Sequence, residues 1–463
     1  MNFAIDRETE MKKRHKLHLS TTHLVMLSFL GLIFVGSLLL SLPISAADGQ
    51  RVPYLDALFT ATTATCVTGL VTVPTVSTWS VFGQVVILLL IQIGGLGVIT
   101  VLAAMMIFMH KQLGFRDRFL LQEAFNLNSI AGIFLFVKKV VLGTLLVEGV
   151  GALLYMTVFV PEFGWSGIWI SVFTAISAFC NAGIDIIAEN SLGNYVTNPM
   201  INLVTSMLVI LGGIGYIVWW DMVRVAKLPG KSWKGKLSRL SLHSKIALAS
   251  TGILLLGGGL LIFLLEYHNP LTIGTMSLAD KIQVSLFQSM TTRTAGFASI
   301  GQQDLTNGAA VVCLFLMFIG GSPVGTAGGV KTVTIAVLAA CAVSAIRDKD
   351  EVTLFHRNIS KQAIHKAVAV TSMSFAILLL STILLSAVTN ADAMDIFYET
   401  VSATATVGLT RNLTPALSGV GKAIIIGTMY LGRVGPISLA LALNTGKKKE
   451  NLIKNPTEEI SVG

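Results

Sequence analysis

Cys66-Val67-Thr68-Gly69-Leu70, Cys180-Asn181-Ala182-Gly183-Ile184, Arg293-Thr294-Ala295-Gly296-Phe297 and Ala405-Thr406-Val407-Gly408-Leu409 are four short blocks, each ending in glycine and an apolar residue. Their glycines lie 114, 113 and 112 positions apart, so the chain reads as one unit written four times. Each block follows a short helix-like stretch and precedes a long apolar run. Four glycines in register suggest a ring of backbone carbonyls around a pore.

The composition fits that setting. Of 463 residues, 53% are hydrophobic and 12% charged, with a mean hydropathy of +0.75, as in membrane proteins. A hydrocarbon layer takes roughly 20 apolar residues per spanning helix, and candidate runs fall at 24–43, 82–109, 133–160, 201–220, 246–265, 309–346, 367–388 and 423–443. That makes two spans per repeat and eight in all. Lys12, Lys13, Arg14 and Lys16 precede the first run as in a signal peptide. Its apolar stretch is longer than the roughly 7 to 15 residues of such a leader, and it is read as a retained helix.

The net charge of +9 does not point to nucleic acid. Basic residues gather in the segments joining the repeats: Lys111, Arg116 and Arg118; Arg224, Lys227, Lys231, Lys234, Lys236, Arg239 and Lys245; Arg347, Lys349, Arg357 and Lys361; then Lys447 to Lys449. This positive-inside pattern predicts a multi-pass protein of the cell membrane with both termini cytoplasmic. Cys66, Cys180, Cys313 and Cys341 show no CxxC spacing and read as small buried side chains. HExxH, GxSxG and paired aspartates are absent from the spans, which argues against an intramembrane enzyme.

Each unit runs as an apolar helix, a stretch too short to span, the glycine block, and a second apolar helix. The short stretches are 56–65, 167–179, 280–292 and 392–404. Asp56, Asp280 and Asp392 open three of them as potential caps, and Phe59, Phe173, Phe287 and Phe397 recur in all four. They are expected to be re-entrant half-helices, because non-helical backbone at membrane depth survives only buried in protein or lining a watery cavity. The second helices carry Gly94, Gly212, Gly320 and Gly432 in the same phase. Two readings stay open for Gly94, Gly212 and Gly432: a mark of the site, or close helix packing of the kind small residues allow.

The blocks suit a monovalent cation. Carbonyl oxygens can replace an ion's hydration shell, glycine reaches φ > 0 without steric cost, and half-helix C-termini carry negative partial charge. No block contains Asp or Glu, whereas a divalent filter would favour a ring of acidic side chains. A rocking transporter built on inverted repeats needs an odd number of spans per unit; two spans and a re-entrant loop predict parallel repeats.

TCVTGL, FCNAGI, TRTAGF and TATVGL, together with IQIGGLG, LGGIG, GGSPVGTAGGVK and LGRVGP, closely resemble the membrane subunit of Ktr-type potassium transporters in the Trk/Ktr/HKT superfamily. The likeness covers nearly the whole chain. It implies an all-α membrane protein of four parallel M1-P-M2 repeats around a central pore, with eight transmembrane and four re-entrant helices. It further implies potassium uptake through filter carbonyls of Val67, Thr68 and Gly69; Asn181, Ala182 and Gly183; Thr294, Ala295 and Gly296; and Thr406, Val407 and Gly408. A homodimer in the lipid membrane and a cytosolic RCK-type ring, which alone carries the nucleotide, are implied as well. Sodium enters as a coupling or activating ion. The resemblance places potassium selectivity on a glycine in the first repeat, here Gly69.

Gly320, Gly321, Ser322, Pro323, Gly325, Thr326, Gly328 and Gly329 break the sixth span, since such a density of glycine with proline is incompatible with a regular helix. A helix kink is one reading; the resemblance favours a flexible intramembrane gate. Arg433, in the last span, must face polar company, because a charge there costs at least ~2.5 kcal/mol. The resemblance puts it in the cavity beneath the filter, against that loop; a structural ion pair is the other reading. Arg293 and Glu399 are expected to pair beside the filter; Glu148 and Asp185 stay ambiguous, a part in a sodium site being the less favoured reading and open only if uptake is sodium-coupled. The chain thus divides into an N-terminal segment 1–20, repeats 21–115, 116–225, 226–350 and 351–446, and a tail 447–463.

Overall fold

Ser80, Asn198, Thr306 and Ser418 cap the starts of helices with their side chains, and Gly97 and Gly435 end two of those helices. The computed structural model describes residues 21–109, 133–229 and 232–435, so segment 1–20, Lys111, Arg116, Arg118, Lys231 and the tail 447–463 lie outside the described residues. The chain is mostly helical. It begins with α1 (Thr21–Leu40), α2 (Tyr54–Cys66), α3 (Val81–Leu96) and α4 (Val98–Phe108). Next come α5 (Ile133–Phe163), α6 (Ser166–Phe179), α7 (Pro199–Gly213) and α8 (Tyr216–Ala226). A third set holds α9 (Leu242–Glu266), α10 (Leu278–Thr291), α11 (Asn307–Phe318) and α12 (Thr332–Ile346). The last holds α13 (Lys361–Val388), α14 (Ala393–Ala405) and α15 (Gly419–Val434).

Among the described residues, four helices are long and apolar enough to cross a membrane: His23–Leu40, Phe134–Phe163, Leu242–Glu266 and Lys361–Val388. The second apolar run is interrupted in each of the first three repeats, not only at the sixth span. Gly97 (φ 86°) separates α3 from α4, Gly215 (φ 93°) lies in a 97° bend between α7 and α8, residues 319–331 separate α11 from α12, and Gly435 (φ 88°) ends α15. Side chains without a positive-φ preference could not make these turns cheaply.

The second helices also start alike. Ser80 accepts from Gly83 N at 3.3 Å, Asn198 from Met200 N at 3.0 Å, Thr306 from Ala309 N at 3.3 Å and Ser418 from Gly421 N at 3.2 Å. Each satisfies an amide that the first helical turn leaves unpaired. The expected aspartate caps are different: Ser277 caps α10, Asp392 makes no side-chain cap bond, and Asp56 pairs with Lys422 at 2.5 Å. Phe59, Phe173 and Phe287 are buried as expected, whereas in α14 Tyr398 takes the buried place and Phe397 is half-buried.

Every short helix packs on the long helix before it. It also meets the second helix of a neighbouring set: α3 packs on α6, α7 on α10, α11 on α14, and α15 returns to α2. The circuit therefore closes, and the Asp56–Lys422 pair joins residues 366 positions apart at the seam.

Gly94, Gly212 and Gly432 allow this packing. A Cβ on each would strike the carbonyl oxygen of Thr65, Phe179 or Thr404, at the C-terminal end of the short helix. Gly212→Ala is therefore expected to lower the thermal stability of the purified chain by about 1–3 kcal/mol, as overpacking does. Gly427→Ala, where a Cβ meets nothing within 4 Å, should be neutral or slightly stabilising. Equal melting temperatures for the two variants would refute the packing account.

Candidate functional site

A residue of left-handed backbone follows each short helix, directly after α2 and α14 and two or three residues on after α6 and α10. Val67 (φ 55°), Asn181 (φ 59°), Thr294 (φ 64°) and Thr406 (φ 52°) hold this conformation, and two residues later so do Gly69 (φ 99°), Gly183 (φ 64°), Gly296 (φ 82°) and Gly408 (φ 99°). Thr68, Ala182, Ala295 and Val407 between them keep ordinary negative φ. Alternation of handedness turns successive peptide planes the same way, which lines carbonyl oxygens along one side of the strand, as in carbonyl-lined filters. Left-handed backbone costs a non-glycine residue roughly 1–2 kcal/mol, so four copies of this strain mark a site rather than a neutral connection.

Hydroxyls in the last turns of the short helices hold the blocks. Thr63 Oγ1 accepts from Gly69 N at 2.9 Å, Ser177 Oγ from Ile184 N at 3.1 Å and Ser402 Oγ from Gly408 N at 3.0 Å, while Thr291 Oγ1 donates to Phe297 O at 2.6 Å. Sequence reading missed these braces. Their trace was present, since a hydroxyl stands five or six residues before every block glycine.

The four glycines meet head to tail. A Cβ on Gly69 would lie 2.5 Å from Ala182 O, on Gly183 2.6 Å from Ala295 O, and on Gly296 2.5 Å from Val407 O. On Gly408 it would strike Thr68 O. First leads to second, second to third, third to fourth and fourth back to first. A cavity of about 600 Å³ opens onto all four glycines and also reaches Asp185, Gln302 and Thr410. Within the blocks, Oγ1 of Thr68, Thr294 and Thr406 and Nδ2 of Asn181 are buried without a hydrogen-bond partner. Leaving a buried polar group unpaired is costly, and such groups suit a site that admits water or a polar guest.

The segment 319–331 lies across the ends of two short helices. Thr326 Oγ1 bonds Phe179 O at 3.1 Å and Asn181 Oδ1 at 2.7 Å, and a Cβ on Gly328 would lie 2.7 Å from Ala405 O and strike Thr406 Oγ1. Its backbone is tied to the α7–α8 bend: Ser322 N donates to Gly213 O at 2.8 Å, Thr326 N to Gly212 O at 3.1 Å, and Tyr216 N to Val324 O at 3.0 Å. Arg433 fastens it from the other side. Its guanidinium donates to Thr326 O at 2.6 Å, Gly94 O at 2.6 Å and Gly95 O at 3.3 Å, and it joins no ion pair among the described residues. Lys331 Nζ adds a bond to Ala327 O at 2.5 Å. The polar company expected for Arg433 is therefore main-chain carbonyl oxygen.

Residues 9–452 match the family described as TrkH, cation transport protein. The chain belongs to the TrkH family. It is 40% identical over 432 residues to the Ktr system potassium uptake protein B of Bacillus subtilis, covering 93% of this chain and 94% of that one. It is 36% identical to the potassium/sodium uptake protein NtpJ of Enterococcus hirae, over 98% of this chain and all of its relative. The crystal structure of the potassium transporter TrkH from Vibrio parahaemolyticus shares the fold, with a TM-score of 0.74 at 18% identity, over 93% of this chain and 86% of that one. These relatives are named as transporters, not enzymes.

In this TrkH-family chain the expected Arg293–Glu399 pair does not form. Glu399 is buried, but it accepts from Thr410 Oγ1 at 2.6 Å and from Thr414 Oγ1, while Arg293 reaches Thr251 Oγ1 at 3.4 Å. Hydroxyls close in sequence satisfy the carboxylate before a distant cation can, which avoids the desolvation cost of a buried ion pair. Glu148 accepts from Gln92 Nε2 at 3.2 Å, and Asp185 from Ser191 Oγ at 2.5 Å and Ile187 N at 3.3 Å. Of the two, Asp185 borders the cavity above the glycines.

Proposed function

We propose that this chain takes up potassium through the ring of glycine blocks. The closed head-to-tail circuit of Gly69, Gly183, Gly296 and Gly408 supports the reading: four alternating-handed strands bring main-chain oxygens to one locus without a carboxylate among them. A potassium ion entering from the outer cavity exchanges its water for carbonyls of Val67 to Gly69, Asn181 to Gly183, Thr294 to Gly296 and Thr406 to Gly408. The short helices direct their C-terminal dipoles at it. Each repeat contributes two spans and a re-entrant helix, with boundaries at 21–115, 116–225, 226–350 and 351–446; in the first three the second span is broken.

Segment 320–329 with Arg433 serves as the gate on the inner side. The protein works as a homodimer in the cell membrane, with both termini cytoplasmic, under a cytosolic RCK-type ring that binds the nucleotide. The names of the curated relatives favour potassium as cargo, and the name of NtpJ favours a role for sodium.

Rubidium uptake into liposomes carrying the purified chain tests this. Uptake should be saturable, competed by potassium far better than by lithium, altered by sodium, and increased by the regulatory ring. Uptake that external potassium does not compete would refute the proposal.

A further inference from the structure

A lateral groove of about 490 Å³ runs between α9 and α12, away from the glycine ring. Ala336, Ala339 and Ala340 on α12 are too small to close the gap to Ile253 and Leu254 on α9. One end of the groove is basic, with Arg347 and Lys349 in its lining. Neither is in an ion pair among the described residues. Asp348, Asp350 and Glu351 alternate with them in sequence but do not line the groove.

A small hairpin, Thr353–Leu354 paired with Arg357–Asn358, sets Leu354 and Phe355 beside these cations as an apolar collar. The other end reaches Ile319 and Thr332, the two roots of the 319–331 segment. Thr332 N donates there to Gly321 O at 3.0 Å, and its hydroxyl lies 2.9 Å from Ser322 Oγ. From Thr332 to Arg347 the helix rises ~22 Å, the reach of one extended acyl chain.

Two cations in the groove lining, neither in an ion pair among the described residues, above an apolar trough suit an amphiphile with an anionic head. We propose that the groove holds one anionic phospholipid, its phosphate on Arg347 and Lys349 and one acyl chain along the alanine face of α12. Basic pockets between membrane helices take up such headgroups. The tail ends against the roots of the 319–331 segment, so occupancy bears directly on how that segment is anchored. Nothing in this assignment depends on which ion the glycine ring accepts.

Native mass spectrometry of the full chain, released from micelles doped with phosphatidylglycerol or phosphatidylcholine, tests it. One phosphatidylglycerol per chain should be retained in preference to phosphatidylcholine. The double substitution Arg347→Gln, Lys349→Gln, at exposed positions, should lower that retention about thirtyfold, with surface cations each contributing severalfold. Ala340→Phe, which fills the groove and leaves both cations, should displace the lipid as well; an unchanged elution profile and melting temperature show that the variants are folded. Equal retention of the two lipids by the unmodified chain, full retention by the double variant, or full retention by Ala340→Phe would each overturn the proposal.

Discussion

Gly69→Ser is expected to cut rubidium uptake by the reconstituted chain about tenfold to a hundredfold and to let sodium pass in its place. Gly69 sits at φ 99°, and a Cβ there would lie 2.5 Å from the Ala182 carbonyl oxygen. Left-handed backbone alone costs a serine roughly 1–2 kcal/mol, and the oxygen must also move aside. Each 1.36 kcal/mol added to a barrier slows passage tenfold. The displaced oxygen belongs to the next repeat, so damage at one block distorts its neighbour. Gly408→Ser should behave in the same way, since its Cβ would strike Thr68 O. The measurement is paired rubidium and sodium flux; an unchanged flux ratio in both variants, at normal yield, would sink the carbonyl-filter reading.

Arg433→Ala is expected to raise potassium flux in the absence of the regulatory ring, by about tenfold. The guanidinium is the only described link that ties Thr326 O of the loop to Gly94 O and Gly95 O of α3. Hydrogen bonds from a charged donor contribute roughly 1.5–3 kcal/mol each. A ligand or bond can bias a two-state element only by its differential contribution, so losing ~1.4 kcal/mol of closed-state preference shifts the equilibrium tenfold. Removing the positive charge also lowers the barrier to a cation passing beneath the ring. Arg433→Lys separates the two causes: it keeps the charge and loses the planar fork that spans two carbonyls, and should fall between. Flux that is unchanged or lower in Arg433→Ala, with the protein folded and selective, would refute the gate assignment.

How much of this was legible before the structure varies with how local its causes are. The short helices are expected at 56–65, 167–179, 280–292 and 392–404 and run Tyr54–Cys66, Ser166–Phe179, Leu278–Thr291 and Ala393–Ala405. Each is bounded by its own sequence: a turn before it and a glycine block after it. The breaks at Gly97 and Gly215 were hidden inside apolar runs that look like single spans. What permits the break at Gly215 comes from far along the chain, as when Tyr216 N bonds Val324 O and Ser322 N bonds Gly213 O.

The Arg293–Glu399 pair was misjudged for the opposite reason. Their places beside the short helices of neighbouring repeats suggested a remote partner, whereas Thr410 and Thr414 supply nearby donors that composition does not single out. For Gly94, Gly212 and Gly432 the two open readings turn out to be one. The glycines are packing residues, and what they pack against is the carbonyl end of the helix that delivers each block.

Among the described residues, only the third quarter of the chain carries the long insertion 319–331, and that insertion touches the second and fourth quarters through Asn181 and Thr406. An assembly of four separate identical chains could not be built this way, because four copies of the same segment would compete for a single space. Fusing the quarters into one polypeptide breaks the symmetry and lets each drift to its own task. One quadrant supplies the crossing segment, another the arginine that fastens it, and the remaining two the backbone carbonyls on which both rest.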